Sequence, residues 1–361
     1  MAAIIGMIPE GLYLLASVAL AVSVMRLAGK KVLVHDMKCI ETLARVDVLC
    51  VDKTGTITDN CMQVCDVIPL GGFDCDHMPS LMEMLSDFAA AMPPDNITME
   101  AIKSYFTAAS GRKAECITSF SSAFKYSSAT FSDVCYVLGA PEFVLKEDYN
   151  TYRDEIEAEA AKGRRVLVFG SFDGVPDSGE LHGEFNPLGM ITLTNPIRED
   201  APETFQYFSE QGVDIKVISG DNPVAVSEIA KQANIANAEN YVDASTLNEK
   251  SDIQDAVSKY TVFGRVTPDQ KRELVRALKS EGKTVAMTGD GVNDVLALKE
   301  ADCSVAMASG SDAAAQVSQL VLLDSNFSCM PSVVAEGRRV VNNIQRSASL
   351  FLVKNIFSFL M

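Results

Sequence analysis

The sequence Val46-Asp-Val-Leu-Cys-Val-Asp-Lys-Thr-Gly-Thr-Ile-Thr58 leads from an apolar, β-branched run directly into a polar turn. The run predicts a buried strand, and Asp52 then stands at its carboxyl end. A second stretch, Thr284-Val-Ala-Met-Thr-Gly-Asp-Gly-Val-Asn-Asp294, has the same arrangement and places Asp290 at the end of another strand. Because the carboxyl ends of parallel strands meet at one edge of a sheet, we expect Asp52 and Asp290 to lie close together.

Further β-branched runs alternate with stretches of helical pattern along the chain. This alternation predicts an α/β fold, a parallel, doubly wound sheet whose functional loops lie at the carboxyl ends of its strands. The predicted strands are Ile215–Ile218, Thr261–Phe263, Cys303–Ala306 and Leu320–Leu323, and the predicted helices are Ala201–Gln211, Pro223–Ala233 and Pro268–Ser280.

The segment 65–187 interrupts this alternation. It is richer in serine, methionine and aromatic residues, and the alternating runs Val134–Leu138 and Arg165–Phe169 predict an antiparallel sheet. We therefore interpret 65–187 as a separate α+β domain inserted after the first strand of the parallel sheet. The domain that carries the parallel sheet is then made of two parts, 28–64 and 188–340.

The overall composition limits the class of protein. The chain has 361 residues, of which 48% are hydrophobic and 22% charged, and this fits two or three globular domains. Its net charge of −17 argues against a nucleic-acid binder, since neutralising phosphates requires a basic face. The nine cysteines show no paired spacing and favour a reducing compartment over a disulfide framework.

The two ends of the chain are more apolar than its middle. Between residues 1 and 25 the only charged side chain is that of Glu10, so we interpret 1–27 as a transmembrane helix segment. Arg26 and two lysines follow this segment and predict that the next part of the chain is cytoplasmic. The segment 341–361 enters a second apolar run, which we interpret as a stalk and the start of another transmembrane helix.

Pro9 and Glu10 interrupt the first apolar segment. A proline frees backbone carbonyls at membrane depth, and a carboxylate there is costly unless it meets a cation. Freed carbonyl oxygens beside Glu10 suit a hard cation such as Ca²⁺. The alternative is a helix end at the membrane interface, with the Glu10 side chain reaching water.

The turn after the first strand has the residues that phosphoryl chemistry needs. An aspartate such as Asp52 can act as a nucleophile that forms an acyl-phosphate, while Lys53 and backbone amides offset phosphate charge. Asp290 and Asp294 add two carboxylates, and Mg²⁺ is typically bound by one or two carboxylates together with phosphate oxygens. Two further motifs, each at the end of a predicted strand, are Ser219-Gly-Asp221 and Arg265-Val-Thr-Pro-Asp-Gln-Lys271.

Taken together and in this order, these motifs resemble those of the P-type ATPases, which are ion pumps built on a haloacid-dehalogenase-like phosphorylation domain. Ile8-Pro-Glu-Gly-Leu12 resembles the ion-binding fourth membrane helix of that family. The resemblance covers nearly the whole chain. It implies a haloacid-dehalogenase-like fold, with ATP and Mg²⁺ as cofactors and partial transmembrane helices at both ends.

The resemblance also implies roles for individual residues. Asp52 accepts the γ-phosphoryl group of ATP and, together with the backbone carbonyl of Thr54 and with Asp290, holds Mg²⁺. Glu10 is implied as a ligand of the transported ion. The remaining catalytic residues that the resemblance implies are Lys53, Lys271, Thr288, Gly289, Asn293 and Asp294.

By the same resemblance, the inserted segment corresponds to the nucleotide-binding domain. Phe120 is implied to stack on adenine, with Lys125 nearby, and Arg165 is implied to reach a phosphate. The sequence departs from the family pattern at Leu138, where a lysine is usual, so that one nucleotide contact is missing. The other implied nucleotide contacts are Gly139, Ser219, Gly220, Asp221 and Arg265.

Two alternatives to a cation pump stay open at this point. A soluble phosphatase of the haloacid-dehalogenase type shares the aspartate nucleophile and the Mg²⁺ site, but it needs neither adenine stacking nor a membrane helix. The second alternative is a nucleotide-binding regulatory fragment that transports nothing.

The flanking sequence resembles a bacterial calcium-type subfamily, which favours Ca²⁺ or a related hard cation as the transported ion. The partners that this implies are ATP, the cation, membrane lipid and the remaining parts of the pump, the actuator domain and the other membrane helices, with no nucleic acid. The implied location is a bacterial cell membrane, multi-pass in the full-length protein, with the catalytic domains in the cytoplasm.

Overall fold

The computed structural model describes residues 10–59, 61–72, 78–120, 124–174, 181, 183–247 and 249–360. The chain divides into two compact units. The first unit joins Met1–Thr58 to Ile197–Met361, and the second unit is Asp59–Pro196.

In the first unit an apolar strand leads to the polar turn 53–57. The strand Val48–Val51 is buried along its whole length, which explains its uninterrupted apolar sequence. The elements of this part are the helix α1 (Glu10–Ala28), the strand β1 (Val32–Val34), the helix α2 (Lys38–Leu43) and the strand β2 (Val48–Val51).

The second unit is built on an antiparallel sheet, as its alternating sequence predicts. Its strands are β3 (Gln63–Pro69), β4 (Cys116–Thr118), β5 (Tyr126–Thr130), β6 (Cys135–Gly139), β7 (Arg165–Phe172) and β8 (Phe185–Thr194). Among the described residues they lie in the order β3-β8-β7-β6-β5-β4, with every neighbouring pair antiparallel. Its helices are α3 (Met78–Ala91), α4 (Ile97–Tyr105), α5 (Pro141–Val144) and α6 (Tyr149–Ala161).

The boundaries of the second unit differ from the predicted 65 and 187. Strands β3 and β8 pair with each other, with Gln63 opposite Thr194 and Pro69 opposite Gly189. Because each strand holds the other in the antiparallel sheet, both belong to the second unit along their whole length. The unit therefore starts at Asp59 and ends at Pro196.

After residue 196 the chain completes the first unit with alternating helices and strands. These are α7 (Ala201–Glu210), β9 (Asp214–Ile218), α8 (Pro223–Gln232), β10 (Tyr241–Asp243), α9 (Lys250–Lys259), β11 (Val262–Gly264), α10 (Pro268–Ser280), β12 (Val285–Gly289), α11 (Val295–Glu300), β13 (Cys303–Met307), α12 (Asp312–Val317), β14 (Leu320–Leu322) and α13 (Met330–Leu360). In the described part of the chain the strand order is β1-β14-β13-β12-β2-β9-β11-β10.

This sheet confirms the predicted parallel, doubly wound arrangement. Every neighbouring pair is parallel except β1 and β14, which are antiparallel. Both faces are covered: Leu49 and Val51 pack in one apolar core, and Val48 and Cys50 in the other. Strands β2 and β12 lie side by side at the centre, so their carboxyl ends bring Asp52 and Asp290 to the same edge.

No helix within the described ranges combines the length and the apolar character that crossing a membrane requires. The predicted first transmembrane segment, 1–27, overlaps α1, and its residues 1–9 lie outside the described residues. The predicted stalk, 341–361, forms the second part of the 31-residue helix α13 up to residue 360.

Gly264 allows the backbone to pass close to the start of α8. A Cβ at position 264 would collide with the backbone nitrogen and Cα of Pro223. Gly264→Ala is therefore expected to destabilise the first unit by about 1–3 kcal/mol, because backbone atoms cannot move aside as a flexible side chain does. Chemical denaturation measures the loss. Gly29→Ala, where the added Cβ would lie 3.4 Å from its closest neighbour, is the control, and an equal loss in both variants would refute the packing argument.

Candidate active site

The candidate active site lies at the carboxyl ends of β2 and β12. Asp52 directly follows β2, and Asp290 directly follows β12. The backbone amide of Lys53 donates to Oδ1 of Asp52 at 2.7 Å. The turn 53–57 then closes on itself, because the amide of Thr58 donates to the Lys53 carbonyl at 3.1 Å. The predicted proximity of the two strand ends is confirmed.

Lys271 joins two of the carboxylates at this edge. Its Nζ lies 2.8 Å from Oδ2 of Asp52 and 2.6 Å from Oδ1 of Asp294. Lys271 is 3% exposed and Asp294 1% exposed, so the ion pairs are almost fully withdrawn from water. Helix α10 supplies the lysine, and a capping box between Thr267 and Gln270 fixes the start of that helix one turn away.

The site holds carboxylates whose ionised forms are poorly compensated by the protein alone. Burial raises the pKa of Asp52 to about 7, against the opposing effect of Lys271. Burial, with repulsion from Asp294, raises the pKa of Asp290 to about 6. Burial by itself would lower the pKa of Lys271, but its two carboxylate partners raise it, and the lysine therefore stays charged.

The carboxylate group fits a hard divalent cation. One oxygen from each of Asp52, Asp290 and Asp294 lies within 4.8 Å of the others. Oxygen-only donors are those that Mg²⁺ prefers, and a cation between raised-pKa carboxylates supplies the charge that the protein lacks there. Asp294 is the most buried of the three, and its oxygens accept from Lys271 and from the Gly291 amide at 3.0 Å. Both oxygens of Asp52 are also engaged, one by the Lys53 amide and one by Lys271, but its side chain is more exposed than that of Asp294.

Gly55 brings the turn against the second carboxylate. Its backbone has φ +72°, a conformation that favours glycine, and a Cβ at this position would collide with the Asp290 carboxylate. The hydroxyl groups of Thr56 and Thr288 lie 3.3 Å apart beneath the turn, and both residues are fully buried. The turn is therefore packed closely onto the end of β12.

A second ion pair lies beside the turn. The ammonium of Lys53 pairs with the Asp221 carboxylate, whose side chain is 51% exposed. The backbone amide of Asp221 donates to Oγ of Ser219 at 3.2 Å, and Arg265 pairs with Asp243 at 2.8 Å. The structure thus places Ser219, Gly220, Asp221 and Arg265 in the first unit, and within that unit Asp221 reaches the turn through Lys53.

Three more predicted residues lie in the segment around Asp290. Thr288 and Gly289 are the last residues of β12, and both are buried. At Gly289 a Cβ would collide with Asp294, so the glycine permits the close approach of that carboxylate. Asn293 is exposed in the turn that follows Asp290.

In the second unit, four of the predicted nucleotide contacts line one cavity. The cavity has a volume of about 500 Å³, and Phe120, Lys125, Gly139 and Arg165 are among its lining residues. Phe120 is 46% exposed there, which is unusual for a phenylalanine and leaves its ring open to a planar ligand. At Gly139 a Cβ would lie 2.9 Å from the Lys125 carbonyl, so the glycine lets β5 and β6 meet at the wall of the cavity.

Leu138 lines the same cavity and is 3% exposed. The position that departs from the family pattern therefore contributes an apolar wall rather than a charge. Thr98 also lines the cavity, and its hydroxyl accepts from Nη1 of Arg165 at 3.0 Å. Sequence reasoning missed Thr98, because nothing in the local pattern distinguishes it from the other residues in the first turn of α4.

The predicted ion-binding motif falls at the start of the described residues. Ile8 and Pro9 of the predicted ion-binding motif lie outside the described residues, and so does the side chain of Glu10.

Gly310 and Ser311 were not predicted, yet they adjoin the site: the Ser311 amide donates to the Asp290 carbonyl at 2.7 Å. Their position after β13, the neighbour of β12, is the signal that points to them.

A sequence model of the haloacid dehalogenase-like hydrolases matches residues 46–302 of this chain. The chain is also 44% identical to a calcium-transporting ATPase, CtpE, of Mycobacterium bovis, over 99% of this chain and 45% of that protein. It is 41% identical to a probable cation-transporting ATPase, exp7, of Streptococcus pneumoniae, over 99% of this chain and 46% of that protein. The chain thus spans about half the length of these curated relatives.

The crystal structure of a zinc-transporting PIB-type ATPase in the E2.Pi state has a similar fold. The TM-score is 0.72 at 20% sequence identity, over 98% of this chain and 51% of that one. The chain therefore belongs to the haloacid dehalogenase-like hydrolase family, and within it the chain is homologous to the bacterial P-type cation-transporting ATPases.

Proposed function

We propose that the chain is the catalytic core of a P-type ATPase that transfers the γ-phosphoryl group of ATP to Asp52. The observation that carries this proposal is the placement of Asp52 and Asp290 at the ends of two neighbouring strands, with Lys271 of α10 paired to Asp52. In the proposed step a carboxylate oxygen of Asp52 attacks the γ-phosphorus. The bond from this phosphorus to the bridging oxygen breaks, and ADP leaves with the electron pair of that bond.

The residues around Asp52 have separate tasks in this step. Lys271 stays protonated between Asp52 and Asp294, and its charge offsets the negative charge of the transferring phosphoryl group. Thr288 supports the turn from below through its contact with Thr56. Lys53 can exchange Asp221 for a phosphate oxygen, because Asp221 is half exposed and its carboxylate is readily solvated.

Asp52, Asp290 and the backbone carbonyl of Thr54 would hold Mg²⁺, which would supply positive charge to neutralise the phosphate oxygens. The raised pKa values of Asp52 and Asp290 support a cation at this place, since each ionised carboxylate is stabilised by a nearby positive charge. Lys271 lies beside these ligands, and Asp294 holds it in place through a buried ion pair.

The cavity of the second unit is proposed as the nucleotide site. Phe120 offers a face for the adenine ring, Lys125 and Arg165 offer charge for phosphates, and Gly139 keeps the wall open. With Leu138 in place of a lysine, we expect affinity to depend mainly on Phe120, Lys125 and Arg165.

Phe120→Ala is expected to weaken ATP binding about tenfold, because base–aromatic stacking contributes about 1–3 kcal/mol per base. Isothermal titration calorimetry with a non-hydrolysable ATP analogue measures the change. Phe143→Ala is the matched control, since Phe143 is 41% exposed and its ring is not among the cavity's lining residues within the described chain. Unchanged affinity in Phe120→Ala would remove this ring from the nucleotide site.

Phosphoryl transfer itself distinguishes the proposed function from its alternatives. Incubation with γ-labelled ATP and Mg²⁺ is expected to give a phosphoprotein that is stable in acid and cleaved by hydroxylamine. A nucleotide-binding fragment without catalysis gives no labelled protein. A soluble phosphatase is indicated if simple phosphate esters, but not ATP, phosphorylate the chain.

The names of the relatives support the finer parts of the proposal. Those proteins are described as calcium-transporting or cation-transporting ATPases, and we propose Ca²⁺ or a related hard cation as the ion that the complete protein moves across a bacterial membrane. We propose Glu10 as one of its ligands. Uptake of Ca²⁺ into vesicles by a longer polypeptide containing this chain tests the ion, and uptake that is unchanged in Glu10→Gln would exclude Glu10.

A further inference from the structure

We propose that Arg198 is a positioning residue for phosphoryl transfer, because it holds the turn that carries the Mg²⁺-binding carbonyl and follows the nucleophile. This inference rests on the proposed function for its effect on catalysis, while its effect on the turn is independent of it. Arg198 contacts the backbone of the turn. The proposal does not involve any contact between Arg198 and a reacting group.

The first observation is a side-chain contact with the turn. Nη2 of Arg198 donates to the carbonyl oxygen of Gly55 at 3.1 Å. Gly55 is buried, has φ +72° and lies against the Asp290 carboxylate. A charged donor on a buried carbonyl makes a stronger hydrogen bond than a neutral one, so the orientation of this peptide group depends strongly on the arginine.

The second observation is a backbone contact on the next part of the turn. The amide of Arg198 donates to the carbonyl of Ile57 at 3.1 Å, and Ile197 pairs with Thr58 in an antiparallel bridge. Arg198 therefore holds the turn at two places, Gly55 and Ile57. Between them lies Thr56, whose hydroxyl meets Thr288.

The peptide geometry explains why this matters for the reaction. In a planar, trans peptide the carbonyl and the following N–H point in opposite directions. When Arg198 fixes the Gly55 carbonyl, it also fixes the direction of the Thr56 N–H and, through the short turn, the positions of Thr54 and Asp52. A displacement of about 1 Å in a reacting group lowers a rate by about 100-fold.

The proposed role of Arg198 is local to the turn 53–57 and is distinct from a general contribution to folding. The chain leaves the second unit at Pro196, and Arg198 comes two residues later. Its side chain holds the carbonyl of Gly55, which is 143 positions earlier in the sequence. The cavity lined by Phe120 lies in the other unit. Loss of the arginine is therefore expected to affect transfer and not the binding of the base.

The test compares Arg198→Met and Arg198→Lys with the wild-type chain. Arg45→Met is the matched control, because it removes the same charge from the same unit and the Arg45 side chain is 58% exposed. Hydrogen exchange of peptides covering 53–58 reports the turn without any catalysis. The rate of phosphoprotein formation at saturating ATP, and the ATP concentration that gives half of that rate, report the reaction.

For Arg198→Met we expect faster exchange in 53–58, a transfer rate reduced about 10- to 100-fold, and an unchanged half-saturating ATP concentration. Arg198→Lys keeps one donor and is expected to recover part of the rate, while Arg45→Met matches the wild type. If Arg198→Met does not fold, Arg198→Lys alone decides through the same two measurements. Wild-type exchange in both Arg198 variants would overturn the inference, and so would a loss confined to ATP affinity.

The two proposals fail in different ways. A wild-type chain that forms no phosphoprotein, with exchange in 53–58 still faster in Arg198→Met, would overturn the proposed function and keep Arg198 as the residue that holds the turn. A wild-type chain that forms phosphoprotein as fast as Arg198→Met does would overturn the positioning role alone.

Discussion

Replacing Lys271 by methionine is expected to destabilise the first unit by about 3–5 kcal/mol at pH 8 in the absence of metal, because it leaves two buried carboxylates without their cation. Its Nζ contacts Asp52 and Asp294 within 2.8 Å and 2.6 Å, and Lys271 is 3% exposed. At pH 8 Asp52 is ionised in the wild type, since its pKa is raised only to about 7. Urea denaturation, followed through the transition of the first unit, measures the loss.

The matched control is Lys250→Met. The Lys250 side chain is 83% exposed, and it pairs with Glu273 at 3.6 Å. Such a surface pair contributes little, so the control is expected to stay within about 0.5 kcal/mol of the wild type. An equal loss of stability in the two variants would contradict the buried ion-pair arrangement. Phosphoryl transfer is expected to be lost in Lys271→Met alone.

Asp52→Asn is expected to lower phosphoryl transfer by at least about 1000-fold without lowering stability, because an amide cannot serve as the nucleophile. The neutral side chain keeps the shape of the aspartate and removes the cost of a buried charge, while Lys271 retains Asp294. In the metal-free chain at pH 8, the variant is therefore expected to melt at a temperature at least as high as that of the wild type. Labelled ATP and differential scanning calorimetry provide the two measurements.

The stability difference between Asp52→Asn and the wild type is expected to depend on pH. Burial raises the pKa of Asp52 from 3.8 to about 7, so between these values the unfolded chain has released a proton that the folded chain still holds. Wild-type stability in the absence of metal therefore falls as the pH rises through this window, and the variant lacks this contribution. The advantage of the variant is expected to grow from pH 4 to pH 7 and to stay level above it.

Asp255→Asn is the control for this experiment, because the Asp255 side chain is 79% exposed. It is expected to retain wild-type phosphoryl transfer and to show no such growth with pH. A pH-independent difference for Asp52→Asn would contradict the burial of the Asp52 charge. Retained transfer in Asp52→Asn would contradict its role as nucleophile.

The sequence was sufficient to predict the edge of the sheet at which the site lies. The apolar runs end at Val51 and at Gly289, and the rule for parallel strands then places Asp52 and Asp290 together. The cavity residues of the second unit depended instead on resemblance, because Phe120, Lys125 and Arg165 belong to separate elements. Nothing in local periodicity brings an exposed phenylalanine to a particular cavity.

Other features depend on pairing between distant parts of the chain. The predicted insertion began at residue 65, six residues after Asp59, where the second unit starts. In the sequence, the start of β3 cannot be separated from the turn that follows β2, and only its pairing with β8 assigns it to the second unit. The contact of Arg198 with Gly55 could not be predicted for the same reason, since no periodic pattern in the sequence marks the residues that follow the second unit. The ion pair of Lys271 with Asp294 likewise required the packing of α10 beside the end of β12.

Phosphorylation of Asp52 is tested by identifying the phosphorylated residue of the wild-type chain chemically. After incubation with ATP and Mg²⁺ and quenching in acid, mass spectrometry locates the phosphate, and hydroxylamine treatment of a parallel sample tests the type of bond. We predict a phosphate on Asp52 that hydroxylamine removes. Two results would contradict phosphorylation of Asp52. One is a hydroxylamine-resistant phosphate on a neighbouring hydroxyl, such as that of Thr54 or Thr56, and the other is the absence of any phosphorylated residue.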